Sequence, residues 1–261
     1  MTAPLTVAAW QYCPDPRDRH ANLSRLTDAA RVARDGGAHL LVTPELVLTG
    51  YDVARLERAD LEGAVERVAE AAKTAGMALI AGVARLDQDG QTRNSAVAVD
   101  SDGTVLAIHD KAHLFGDIDL RFTPGNVPVT VVELAGRRIG LLICYEIEFP
   151  EPARIAALER IDLLAVPTAN MQPYQGVHDI LVPARALENG IPVVYANRVG
   201  QERSTHYLGR SLLVDGDGVI QAEGSPAGDE VLVASLAAGR STQLQDRRTP
   251  LFSPLSQEHR R

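Results

Sequence analysis

Three residues of chemically useful type each stand where an apolar run stops. Glu45 follows Leu40 to Val42, Lys111 follows Thr104 to Ile108, and Cys144 closes the run Gly140 to Ile143. Short apolar runs of this kind read as strands buried in a sheet. After Cys144 the chain turns polar at Tyr145, Glu146 and Glu148, and from Pro150 to Leu158 it reads as a helix. Proline suits an early helical position because its missing N–H would have no partner there, and Glu151 in the first turn complements the helix dipole. A thiol at a strand, turn and helix junction is exposed at a sheet's end and can lie near backbone N–H groups, as a nucleophile needs.

The three chemistries fit together. Groups at the carboxyl ends of strands in an α/β architecture converge on one crevice. A thiol attacks as thiolate, an ammonium stabilises that anion, and a carboxylate takes the proton. Lys111, with the N–H of Tyr145, could hold the negative charge that develops on attack at a carbonyl or nitrile carbon. Glu45 would then protonate the leaving amine and activate the water that releases the acid. Each residue taken singly has a blander reading: an inert buried cysteine, a helix cap or solvated loop glutamate, and a snorkelling surface lysine.

The elements that must position these groups follow in order. Leu5 to Trp10 reads as a strand, and His20 to Arg34 as an amphipathic helix stopped by Gly36-Gly37. A second such helix is expected from about Glu57 to Ala75, closed by Gly76, and a strand over Met77 to Val83. Ser95 to Val99 with Thr104 to Ile108, and Val129 to Glu133 with Arg138 to Ile143, read as hairpins. Then come strand Asp162 to Pro167, helix Val177 to Asn189, strand Ile191 to Ala196, a hairpin of Tyr207 to Val214 with Val219 to Ala222, and a last strand, Val231 to Leu236. VAVDSDGTVLA and LLVDGDGVIQA are similar units, each after a helix and a strand, which suggests two half-domains of like architecture. Hairpins interrupting the helix and strand alternation point away from a plain doubly wound sheet. The expectation is an α/β fold: an α-β-β-α sandwich of two mixed β-sheets with helices on the outside, in one domain spanning residues 1–261 with a C-terminal arm from about 239.

A formal net charge of −8 without a basic stripe argues against nucleic acid and anionic membrane surfaces as partners. The N-terminus lacks the pattern of a secretion signal and no run is long enough to span a membrane, so a cytoplasmic location is expected. Cys13 and Cys144 are too few for a disulfide framework and lack metal-ligand spacing. Cys13, with no lysine or carboxylate motif around it, reads as structural. His109 and His113 lie on a strand leaving a turn, where their spacing does not make a zinc pair.

PEL at Pro44 to Leu46, HDKAHLF at His109 to Phe115 and GLLICYEIEFPE at Gly140 to Glu151 resemble the three motif regions of the nitrilase superfamily of carbon-nitrogen hydrolases. The similarity covers nearly the whole chain. It implies a Glu45, Lys111 and Cys144 catalytic triad, the α-β-β-α sandwich, no metal or other cofactor, and a homodimer or larger homo-oligomer. HLFGDIDLRFTPG, CYEIEFPE and VPTANM resemble its amidase branch, including amidases of ω-amino amides such as 5-aminopentanamide and stereoselective amidases. Many members carry a second glutamate after the lysine; here Asp117 and Asp119 stand in that loop, and Asp119, eight residues after Lys111, is assigned the role. Glu148 replaces an arginine that could clamp a substrate carboxylate, which turns the expectation away from ω-amic acids and N-carbamoyl amino acids.

The expected reaction is hydrolysis of a small primary amide to acid and ammonia through a Cys144 thioester. Asp117, Asp119, Glu146 and Glu148 would draw the pocket toward an amine-bearing amide, with Tyr51, Tyr145, Glu146, Asn170, Met171 and Tyr174 contacting substrate. The same triad serves a nitrilase or an amide-forming acyltransferase, and a catalytically silent binding or scaffold protein could share the fold. Whether Gln201 to His206 covers its own site or a neighbour's stays open at this point.

Overall fold

The computed structural model describes residues 4–53 and 55–237; the expected C-terminal arm lies outside them. The chain runs β1 (Leu5–Gln11), α1 (Arg19–Asp35), β2 (Leu40–Val42), α2 (Arg58–Leu61), α3 (Ala64–Ala75), β3 (Ala78–Leu86), β4 (Thr92–Val99) and β5 (Val105–Asp110). It continues with β6 (Thr130–Leu134), β7 (Arg137–Leu141), α4 (Pro150–Leu158), β8 (Leu163–Pro167), α5 (Val182–Asn189) and β9 (Val193–Ala196). A small hairpin of β10 (Gln201–Glu202) and β11 (Thr205–His206) precedes β12 (Leu212–Val214), β13 (Ile220–Glu223) and β14 (Glu230–Leu236).

Two six-stranded mixed sheets form, ordered β14-β1-β2-β3-β4-β5 and β6-β7-β8-β9-β12-β13. Read in those directions, both sheets pair antiparallel, parallel, parallel, antiparallel, antiparallel. The two half-domains therefore share one topology, with β14, the last strand among the described residues, completing the first sheet. Their inner faces meet in a core of Val7, Ala9, Val42, Ile80, Ile139, Leu141, Ala165, Val194 and Leu213. Alanine-rich faces of α1 and α3 cover the outside of the first sheet, and α4 and α5 the outside of the second. This is the expected α-β-β-α sandwich.

Local chemistry explains the boundaries. Asp18 caps α1 by accepting from the Ala21 N–H at 2.9 Å. The helix expected from Glu57 to Ala75 is instead broken at Gly63, whose φ of 66° is left-handed and cannot continue a right-handed helix. Val177 to Asn189 likewise divides into a π-helical turn, Val177–Leu181, and α5. No helix among the described residues is long and apolar enough to cross a membrane.

Candidate active site

Glu45 leaves the end of β2, Lys111 the end of β5, and Cys144 the extended segment after β7. The Glu45 N–H donates to the Thr168 carbonyl, just past β8, at 3.2 Å, which ties the first sheet's loop to the second sheet. Strand β3 passes so close behind that a Cβ on Gly82 would meet the Pro44 carbonyl at 2.6 Å and Glu45 Cα at 2.7 Å. Only a glycine allows that approach. The Lys111 N–H donates to the Asn94 carbonyl at 2.8 Å, and the Gly125 N–H donates to the Lys111 carbonyl at 2.8 Å. Both catalytic candidates thus sit on backbone that is hydrogen-bonded on either side.

Lys111 Nζ donates to Glu45 Oε1 at 2.7 Å and to Asp119 Oδ2 at 2.7 Å, with all three side chains buried. Asn94 Nδ2 adds a donor to Glu45 Oε1 at 2.7 Å, and the Phe115 N–H donates to Asp119 Oδ2 at 2.9 Å. The other oxygens, Glu45 Oε2 and Asp119 Oδ1, and the hydroxyl of buried Tyr51 have no hydrogen-bond partner among the described residues. Unsatisfied buried polar atoms are costly, so these groups beside Lys111 are not explained by the packing of the fold alone.

The protonation states follow from the charges. Burial works against the Lys111 ammonium, but Glu45 and Asp119 outweigh it and hold the group well above its ordinary value. Lys111 therefore stays charged and does not serve as a base. Burial, with Asp119 nearby, pushes Glu45 up against the opposing pull of Lys111. Burial and Glu45 also push the Cys144 thiol up, with Lys111 opposing. One ammonium already faces two carboxylates, so a resting thiolate would be a third anion without a cation. Cys144 rests as a thiol. Burial and the anions around it keep Tyr51 protonated, hence a donor.

Cys144 has φ of 47°, a left-handed conformation unusual for a residue with a side chain. It opens a 3₁₀ turn, Cys144–Glu148, placed between β7 and α4 where a bare turn was expected. Glu146 anchors that turn rather than facing a ligand: Oε2 accepts from the Ile143 N–H at 2.7 Å and lies 2.9 Å from His109 Nε2. Its Oε1 accepts from the Ala112 N–H at 2.7 Å. A fully buried carboxylate so engaged has no capacity for substrate, which corrects its expected binding role.

The other expected contacts separate. Tyr51 is at the centre, its ring 5.8 Å from Lys111 Nζ. Asn170 is turned inward, its Oδ1 accepting from the Met171 N–H at 2.8 Å and its Nδ2 donating to the Tyr174 carbonyl at 3.3 Å. Met171 packs against the buried cluster that includes Tyr51, Phe122 and Tyr207. Tyr145 and Tyr174 flank Phe115 edge-on, at 5.3 and 5.5 Å between centroids, and Phe149 extends this aromatic group. Asp117 is exposed, so of the two loop aspartates it is Asp119 that reaches the lysine. Glu148 is half-buried, and its carboxylate has no hydrogen bond or ion pair among the described residues; burial raises it, with Lys111 opposing. Asn94, Phe115, Phe149 and the His109 to Glu146 contact were not anticipated. Asn94 had a signal, as a polar side chain at the head of the apolar SAVAV strand.

Residues 6–246 match the family model for carbon-nitrogen hydrolases. The chain is 39% identical to the "Hydrolase in pqqF 5'region" of Pseudomonas protegens, over 97% of this chain and 92% of that one. It is 34% identical to an (R)-stereoselective amidase of Pseudomonas sp, over 76% and 73% of the two chains. Among solved structures it is similar, at a TM-score of 0.84 and 35% identity over 90% and 91% of the chains, to an amidase of Nesterenkonia sp. AN1. That structure is a glutamate-to-glutamine variant with the acetamide moiety of fluoroacetamide added covalently at the active-site cysteine. With this fold and these relatives, the chain belongs to the carbon-nitrogen hydrolase family, and it is an amidase-like hydrolase of the nitrilase superfamily.

Proposed function

We propose that the enzyme hydrolyses small primary amides through a thioester on Cys144, and that it prefers amides carrying a second, cationic amine. The observation that carries the first part is Lys111 bridging Glu45 and Asp119 at 2.7 Å each, beside a cysteine on a strained turn. Glu45 takes the thiol proton as sulfur attacks the carbonyl carbon. Lys111 and the Tyr145 N–H hold the oxyanion, and Glu45 returns the proton to nitrogen so that ammonia leaves. Water, deprotonated by Glu45, then attacks the thioester, releasing the acid and restoring the thiol. Covalent addition at the cysteine of the Nesterenkonia amidase supports the choice of nucleophile.

The preference for a cation rests on Glu148. Of the four acidic residues near the turn, Asp119 is paired with Lys111, Glu146 is used by the turn and Asp117 is exposed. Glu148 remains, half-buried and without an ion pair among the described residues, four residues past the nucleophile. A charge-assisted hydrogen bond contributes about 1.5–3 kcal/mol, so Glu148→Gln should lower kcat/KM for 5-aminopentanamide by about tenfold or more. With pentanamide the change should stay within about twofold. The preference should fade as pH falls through the raised Glu148 value, because only the anion attracts the ammonium. Ammonia release from both amides and from pentanenitrile, measured with parent and variant, is the test. An unchanged ratio between the amides removes Glu148 from recognition, and release from the nitrile instead of the amides overturns the amidase reading.

A further inference from the structure

Behind the site lies a second buried charge pair that the chemistry above does not use. Arg198 follows β9 and is fully buried, and its Nη2 donates to Glu202 on the β10 to β11 hairpin. The pair reaches the reaction centre from both of its ends. On the cationic side, Arg198 Nη1 donates to the carbonyl of Glu45 at 3.4 Å. On the anionic side, Glu202 Oε2 accepts from the N–H groups of Tyr51 and Asp52 at 2.9 and 2.8 Å, and from the Tyr207 hydroxyl at 2.6 Å. The Tyr207 ring lies under the Arg198 guanidinium at 4.7 Å. Space for Glu202 comes from Gly50, at φ of 83°, where a Cβ would stand 2.5 Å from Glu202 Oε1. The Thr205 hydroxyl donates to Asp52 Oδ2 at 2.7 Å, so the hairpin is fastened to the 51–52 segment of its own chain.

A buried ion pair is a poor device for stability alone, since apolar side chains of similar size often serve as well. What apolar groups cannot supply is direction. Here one cation orients the backbone of Glu45, and one anion orients the backbone of Tyr51, whose ring lies 5.8 Å from Lys111 Nζ, the donor to Glu45 Oε1. We propose that the Arg198 and Glu202 pair is a positioning device for catalysis, which keeps Glu45 and Tyr51 in register across the loop that joins them. This rests on Glu45 being the base, as read above.

The test compares Glu202→Gln, Tyr207→Phe and Glu45→Gln in the full chain, by steady-state kinetics on a primary amide across pH. Misplacement of a reacting group by an ångström can cost about a hundredfold, so Glu202→Gln should lower kcat by about thirtyfold with KM within about threefold. It should also move the acidic limb of the kcat/KM profile to lower pH. The groups facing Glu45, namely Lys111, Asp119, Asn94, Tyr51 and Cys144, are unchanged in this variant, while Arg198 loses its anion and its charge then favours ionised Glu45. Tyr207→Phe keeps both charges and removes the hydroxyl that donates to Glu202 Oε2 and accepts from the Asp52 N–H at 3.3 Å; a fall in kcat of about fivefold is expected, with KM unchanged. It carries the test if Glu202→Gln does not fold. Parental kcat and an unmoved limb in a folded variant, or a rise in KM alone, overturn the proposal. If Glu45→Gln keeps parental activity, the fault lies instead with the reading of Glu45 as base.

Discussion

Lys111→Met is expected to lower kcat/KM for a primary amide by about a thousandfold or more, and to destabilise the fold. Loss of one oxyanion donor costs about a hundredfold to a thousandfold, and here the same ammonium also holds Glu45 and Asp119 in place. Breaking a buried charge pair costs about 3–5 kcal/mol, because the surviving carboxylates stay buried without a cation. At roughly 2–4 °C per kcal/mol for a chain of this size, Tm near neutral pH should fall by about 6–20 °C. The sign of its pH dependence follows from the carboxylates. Without the lysine only Asn94 opposes the burial that already holds Glu45 above its ordinary value, so its ionised form disfavours the folded state, and protonation relieves this as pH falls. The Tm gap between parent and variant should therefore narrow from about pH 8 to about pH 5. Melting curves at the two pH values and ammonia release together check the prediction. Activity within tenfold of the parent would mean that Lys111 is structural.

Glu45→Gln should move two rates in opposite directions. Turnover should fall by about a hundredfold to ten-thousandfold, since the glutamine cannot take the thiol proton or activate water. The thiol itself should become more acidic. Glu45 is one of the influences that hold Cys144 up and Lys111 is the one that draws it down, so removing the carboxylate leaves the lysine less opposed. Alkylation of Cys144 by iodoacetamide near neutral pH should accordingly be faster in the variant than in the parent, as the thiolate fraction is larger. Parallel measurement of kcat and labelling rate tests this. Retained turnover would remove Glu45 as the base, and slower labelling would contradict the electrostatic account of the thiol.

The layered fold was legible in the chain because its strands are short apolar runs and its helices carry one alanine-rich face, and both patterns survive into the packing. The two similar DG-containing hairpins foretold the shared sheet topology. Glu45, Lys111 and Cys144 were visible as polar residues at strand ends and Asp119 through the family resemblance, and the structure pairs Glu45 and Asp119 with Lys111. Glu146 misled because charge beside a nucleophile suggests recognition, whereas its partners are backbone N–H groups that sequence does not display. Arg198 and Glu202 escaped notice for a related reason. Their partners lie about 150 residues away, at Glu45, Tyr51 and Asp52, and only the meeting of the two half-domains brings them together.

The central claim is that Cys144 carries the acyl group. Its most direct test is mass spectrometry of the intact enzyme, acid-quenched within the first turnovers on a primary amide and then digested to locate the adduct. The account predicts an increase equal to the amide less ammonia, on the peptide that contains Cys144, disappearing as substrate is exhausted. Ammonia release with no adduct at any quench time, or an adduct on Cys13 instead, would contradict it.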